Sequence, residues 1–186
     1  MKRILVSVSG TRSRIARGLF TSVVINQNLL YATDTNKNTV HVFYHDSGWK
    51  LRNKIKLQFK INGWTVTLRV KHDHLICSNL SWAHEVIRVY ALDGSLVQTF
   101  GNRGSGGDGE FYSPFISDAD VDGSVLITDC YNNRLQVMSE QGEFSVLQLQ
   151  SPVSKPRGAM FFNNQLYVTS WNKQTLCKFM PNSLLN

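Results

Sequence analysis

The stretch Val125-Leu-Ile-Thr-Asp129, followed by a polar turn at Asn132-Asn133 and then Arg134-Leu-Gln-Val-Met138, reads as two short strands joined by a tight turn. The apolar residues favour extended, packed backbone, and the Asn-rich break favours a bend because its amides can bond nearby backbone. Three other segments lie under the first strand: Leu29-Leu-Tyr-Ala-Thr-Asp34, Leu75-Ile-Cys-Ser-Asn79 and Leu166-Tyr-Val-Thr-Ser170. The second strand also recurs, as Thr39-Val-His-Val-Phe43, as Thr175-Leu-Cys-Lys-Phe179 and, after two extra residues, as Val86-Ile-Arg-Val-Tyr90.

With Asp34, Asn79, Asp129 and Ser170 taken as equivalent, the spacings are 79 − 34 = 45, 129 − 79 = 50 and 170 − 129 = 41 residues. Periods of this size match a four-stranded propeller blade. No stretch sustains a helical period. The expectation is one all-β domain over residues 1–186, a β-propeller of about four four-stranded blades. The blades fall near 20–57, 64–100, 115–148 and 157–179, the last stopping after its third strand, with a closing strand within 1–19.

Outward from the starting stretch, Gly101-Asn-Arg-Gly-Ser-Gly-Gly-Asp-Gly-Glu-Phe111, Ser113-Pro114, Asp122-Gly123, Ile127-Thr-Asp129 and Asn132-Asn-Arg-Leu-Gln-Val137 occur in order. Together they resemble an NHL repeat. Lys155-Pro-Arg-Gly-Ala159 with Leu166-Tyr-Val-Thr169 resembles the start of the next one. Blades one and two match more weakly. Phe115-Ile116 stands where the family has Arg-Gly, and Ser170 where it has Asp. The arginine survives as Arg157, with Arg17 as its counterpart before blade one.

The resemblance implies a recognition platform like the propellers at the C-terminus of tripartite-motif ubiquitin ligases, which bind RNA or protein while a separate RING domain transfers ubiquitin. No RING or B-box cysteine–histidine array occurs in the sequence, so no ligase activity is expected from this chain alone. Some NHL-like propellers are amidating lyases, and a metal-dependent lyase or hydrolase is the alternative function.

The motif has a physical reading as well. Its glycines permit backbone angles needed to pass from the outer strand of one blade to the inner strand of the next. Phe111 is placed to plug the apolar space between blades, and Asp129 to pair with Arg134.

Composition narrows the class. The chain is 42% hydrophobic and has no apolar run near the roughly 20 residues of a membrane-spanning helix, so a soluble protein without a membrane partner is expected, and the short, serine-interrupted apolar stretch after Met1-Lys-Arg gives weak support to a signal peptide, so a cytoplasmic one. Cys77, Cys130 and Cys177 are odd in number and widely spaced, which suits small buried thiols better than a zinc site or disulfide framework. A net charge of +7 favours an anionic partner.

Catalytic signals are sparse. His72-Asp73-His74 could place two imidazoles on one strand face, but a metal needs a further ligand, and the triplet reads equally as a hairpin turn. There is no Gly-x-Ser-x-Gly elbow, and Gly101–Gly109 lacks the Gly-Lys-Ser/Thr ending of a phosphate loop. No cofactor is expected.

The basic residues are more informative. Lys50, Arg52, Lys54 and Lys56 alternate with Leu51, Asn53, Ile55 and Leu57, which predicts four cations on one face of blade one's outer strand. Such a stripe guards an edge against aggregation or binds phosphate. The residues assigned to RNA or partner binding are Arg17, Arg103, Lys155, Arg157, Trp171 and Lys173, with Trp171 able to stack on a base.

Closure of the ring has three readings. Arg3-Ile-Leu-Val-Ser-Val8 could supply blade four's missing strand, the chain could be part of a larger open ring, or self-association could close it. Divergence of blades one and two favours the partial ring.

Overall fold

The computed structural model describes residues 16–17, 19–58, 68–71, 73–81, 84–119 and 124–180. The first sheet runs β1 (Phe20–Asn26), β2 (Leu29–Asp34), β3 (Thr39–His45) and β4 (Trp49–Lys56). The second contains β5 (Leu68–Lys71), β6 (His74–Ser81), β7 (His84–Ala91) and β8 (Leu96–Phe100). A short parallel pair, β9 (Asn102–Arg103) and β10 (Glu110–Phe111), closes the glycine-rich loop. The third sheet has β11 (Pro114–Ala119), β12 (Val125–Asp129), β13 (Arg134–Met138) and β14 (Phe144–Leu147). The fourth has β15 (Pro156–Phe162), β16 (Gln165–Ser170) and β17 (Thr175–Phe179).

Each of the four numbered sheets is an antiparallel meander in chain order, as a propeller blade requires. There is no helix among the described residues. Sheets pack in sequence: β1 beside β5, β5 and β6 beside β11, and β11 and β12 beside β15. Among the described residues the fourth sheet makes no comparable contact with the first. Residues 3–8, the expected closing strand, lie outside the described residues.

Burial on both faces explains why β12 is apolar almost throughout. Val125 and Ile127 enter the core shared with blade two, alongside Ile76, Ile87 and Met138, while Leu126 points the other way to join Leu135, Leu166 and Val168. Another core, between blades one and two, gathers Tyr31, Val40, Val42, Ile55, Leu57, Leu75 and Tyr90. Phe111, fully buried, enters the core between blades two and three and meets Phe144 edge-on at 5.4 Å.

The cation stripe of β4 departs from the period-two expectation. Val42 pairs with Asn53 and Phe43 with Leu51, leaving Arg52 as a bulge. The bulge flips the strand's faces. Lys54 and Lys56 stand opposite His41 and Thr39, whereas Arg52 turns to line a hollow with Tyr31, Val42 and Leu92. Four cations therefore do not share one face.

Candidate functional site

The glycine-rich loop sets the position of the residues that follow it. Asn102 N donates to Gly109 O at 3.0 Å and Gly104 N to Phe111 O at 3.1 Å, while Glu110 Oε2 accepts from the amides of Gly106 and Gly107, each at 2.9 Å. These amide bonds hold the Glu110 carboxyl below its ordinary range. Arg134 spans the loop from outside, donating to Gly107 O and Glu110 O, each at 2.8 Å, and to Asp129 Oδ2 at 3.0 Å. Gln136 accepts from Gly109 N and donates to Glu110 O.

This bracing presents an aromatic run on the face carrying the turns between second and third strands. Arg103 lies 5.2 Å from the Tyr112 ring centre, Tyr112 and Tyr131 are 4.9 Å apart, and the Lys155 ammonium stands 5.1 Å from Tyr131. Beside this ladder, Arg157 sits between two rings, 5.1 Å from Phe115 and 4.6 Å from Trp171. Burial pushes the Cys130 thiol up, opposed by the pull of the nearby Arg157 and Lys155 charges.

The same corner geometry recurs along the chain. Thr35 N donates to Leu19 O, Cys130 N to Ser113 O and Trp171 N to Lys155 O, each tying the end of a second strand to the entry of its first. In blades three and four the entry residues Ser113 and Lys155 have φ of 65° and 46°. That left-handed backbone turns the chain sharply into the inner strand.

Of the six residues expected to form the site, Arg103, Lys155, Arg157 and Trp171 join this cation–aromatic cluster. Lys173 lies exposed in the turn that begins at Trp171. Arg157 occupies β15, at the register shift between Pro156 and Gly158, and not a loop. Arg17 precedes the first sheet and is not among the cations over these rings. Tyr112, Tyr131 and Phe115 are the participants that sequence reading missed. Their only signal is placement, since Tyr131 and Trp171 both follow the end of a second strand.

Neither Lys155, Arg157 nor Lys173 pairs with an acidic side chain among the described residues. Trp171 is 52% exposed and Tyr131 41%. The cluster can therefore offer positive charge and a ring edge or face together. His74 opens β6 at the opposite end of the sheets, with Asp73 in the turn before it, and His72 is outside the described residues. No group of three or more His, Cys, Asp or Glu stands close enough to hold a metal ion among the described residues.

No protein-family model matches the sequence, and no curated protein matches it. Similarity appears at the level of structure. A protein of unknown function from Bacteroides thetaiotaomicron aligns with a TM-score of 0.67 at 16% identity, covering 87% of this chain and 47% of that one. The WD40 β-propeller domain of Doa1 gives 0.56 at 16% identity, covering 82% and 46%. Virginiamycin B lyase from Staphylococcus aureus gives 0.55 at 14% identity, covering 87% and 55%. The chain thus spans about half the length of each of these structures. At such identities the likeness speaks to fold alone, and the fold it shows is a β-propeller.

Proposed function

We propose that this chain is a non-catalytic recognition module whose turn-bearing face binds an anionic partner, with single-stranded RNA as the partner that the chemistry favours. The observation carrying this reading is the placement of Lys155 and Arg157, without acidic partners, against exposed aromatic rings. Phosphates attract the cations, and a base has a planar face for Trp171. Propellers commonly serve as protein-interaction scaffolds, so an acidic protein segment is the second reading. It uses the same cations without needing the ring. On either reading the module is a cytoplasmic recognition arm, and the NHL resemblance suggests one working beside a ubiquitin ligase.

The test is a salt titration with mixed-sequence single-stranded RNA. Each phosphate neutralised on a single strand contributes about −0.7 to the slope of log affinity against log salt. Replacing Lys155, Arg157 and Lys173 together should flatten that slope by roughly two. Absence of RNA binding at low salt would remove the RNA reading and leave the protein reading, to be tested by binding to an acidic peptide. The alternative of a metal-dependent lyase or hydrolase is tested by metal analysis of the purified protein, and stoichiometric metal would overturn the non-catalytic reading.

A further inference from the structure

The bulge in β4 re-aims one cation. Without it, Arg52 would share a side of the sheet with Lys54 and Lys56, opposite His41 and Thr39. The register shift between Val42 and Phe43 instead turns Arg52 towards a hollow of about 200 Å³ where the first and second sheets meet, walled by Leu29, Tyr31, Val42, Ile55 and Leu92. Bulges commonly serve to point a side chain into a site.

The hollow holds one charge that nothing around it neutralises. Lys50, on the same strand, pairs with Asp46 at 2.9 Å, whereas the Arg52 side chain makes no ion pair among the described residues. The walls are mainly apolar: Tyr31, Val42 and Ile55 belong to the core between blades one and two, and Leu29 and Leu92 pack against it. Asn53 completes the lining with an amide. Tyr31 brings a hydroxyl whose pKa is raised by burial, lowered by the Arg52 charge and raised more weakly by Asp73. That hydroxyl therefore keeps its proton at neutral pH, and at its position the arginine outweighs the aspartate.

We propose that this hollow binds a small monocarboxylate with an apolar body, its carboxylate on Arg52 and its body against Leu29, Val42, Ile55 and Leu92. Charge complementarity selects the acid: a guanidinium offers two parallel N–H donors at the spacing of two carboxylate oxygens. The volume limits the length, because it falls below the roughly 300–1,000 Å³ of sites for drug-sized ligands. A phosphate dianion fits worse, since a single cation among apolar walls leaves part of its charge unmatched. Leu29 opens β2, whereas the cation–aromatic cluster gathers beyond the ends of the second strands, so the two sites are separate and this one does not depend on RNA binding.

Methyl NMR on the full chain, with hexanoate as the probe, tests it. Titration should shift the methyl resonances of Leu29, Val42, Ile55 and Leu92 along one saturating curve. Hexanamide, equal in length but uncharged, should bind at least about tenfold more weakly, because it lacks the charge-assisted bonds. Arg52→Met should weaken hexanoate by a similar factor and leave hexanamide unchanged, while Arg52→Lys should recover part of the loss by restoring charge without the fork. Arg52 is exposed, so its replacement spares the core, and the comparison of the two ligands on the unaltered chain needs no variant. Absence of a saturable shift at these methyls would overturn the proposal, as would equal affinities for hexanoate and hexanamide. Hexanoate shifts that Arg52→Met leaves intact would overturn it too.

Discussion

Arg134 and Asp129 meet at 3.0 Å across the entry of the β12–β13 hairpin, and the carboxylate is wholly inaccessible to solvent. It also accepts from Tyr112 N, Asn132 Nδ2 and Gln136 Nε2, so its charge is met from four directions. Replacing Asp129 with alanine strands the buried guanidinium edge and three other donors. The expected loss is about 3–5 kcal/mol of unfolding free energy, measured by denaturant titration. A loss below about 1 kcal/mol would mean that water replaces the carboxylate, contrary to its burial.

Phe111→Ala tests whether the glycine-rich loop matters through its bonds or through the ring that it delivers. The ring fills the core between blades two and three, so its removal should cost about 3–5 kcal/mol. Gly109→Ala should also destabilise, because Gly109 has φ of 73° and an added Cβ would lie 2.8 Å from the Phe144 ring. Thermal unfolding of the two variants separates these contributions: a stable Phe111→Ala protein would show that the loop's hydrogen bonds suffice.

The blade pattern was legible because a sheet covered on both faces demands apolar second strands, and β2, β6, β12 and β16 all keep that demand visible. Phe111 and the Asp129–Arg134 pair were legible for a related reason, being local features at fixed spacing. The β4 bulge was not. Strand alternation predicts one face for Lys50, Arg52, Lys54 and Lys56, whereas the face of each depends on a register shift imposed by pairing with β3. Of the site, the cations were visible as charges, but the Tyr112–Tyr131 ladder joins residues from two connections and exists only once the third sheet has formed.

His41 gives blade one a pH dependence. Burial lowers its pKa from 6.5, Lys54 and Lys37 lower it further, and Asp34 opposes them. The unfolded chain therefore binds the proton more readily than the folded one. This contribution to stability is present above pH 6.5 and is lost as pH falls towards the depressed folded value. Unfolding free energies measured between neutral and mildly acidic pH should fall more steeply for the native chain than for His41→Gln. Parallel profiles would mean that His41 titrates alike in both states.

The three thiols should react in order of access. Cys77 is 3% exposed and burial pushes its pKa up to about 12, while Cys177 is only half-buried. Thiolate is the reactive form, so an alkylating reagent at neutral pH should label Cys177 first and leave Cys77 unmodified until unfolding. Mass spectrometry of peptides from partly labelled protein reads the order. Early labelling of Cys77 would indicate that the core between blades one and two opens readily.

The two aromatic groups of the proposed recognition face should not contribute equally. Tyr131 is flanked by Tyr112 and Lys155, each about 5 Å from its ring centre, so a base must compete with contacts already made. Trp171 is contacted by Arg157, and about half of its surface remains open. A base stacking on an aromatic side chain contributes about 1–3 kcal/mol, or roughly fivefold to 150-fold in affinity. Trp171→Leu should therefore weaken single-stranded RNA binding by at least about fivefold at constant salt while leaving the salt slope unchanged, because no cation is lost. Tyr131→Leu should act mainly by releasing Lys155, with a smaller loss. Equal losses from both substitutions would argue against stacking on Trp171, and a changed slope in Trp171→Leu would show that the indole acts by holding Arg157 in place.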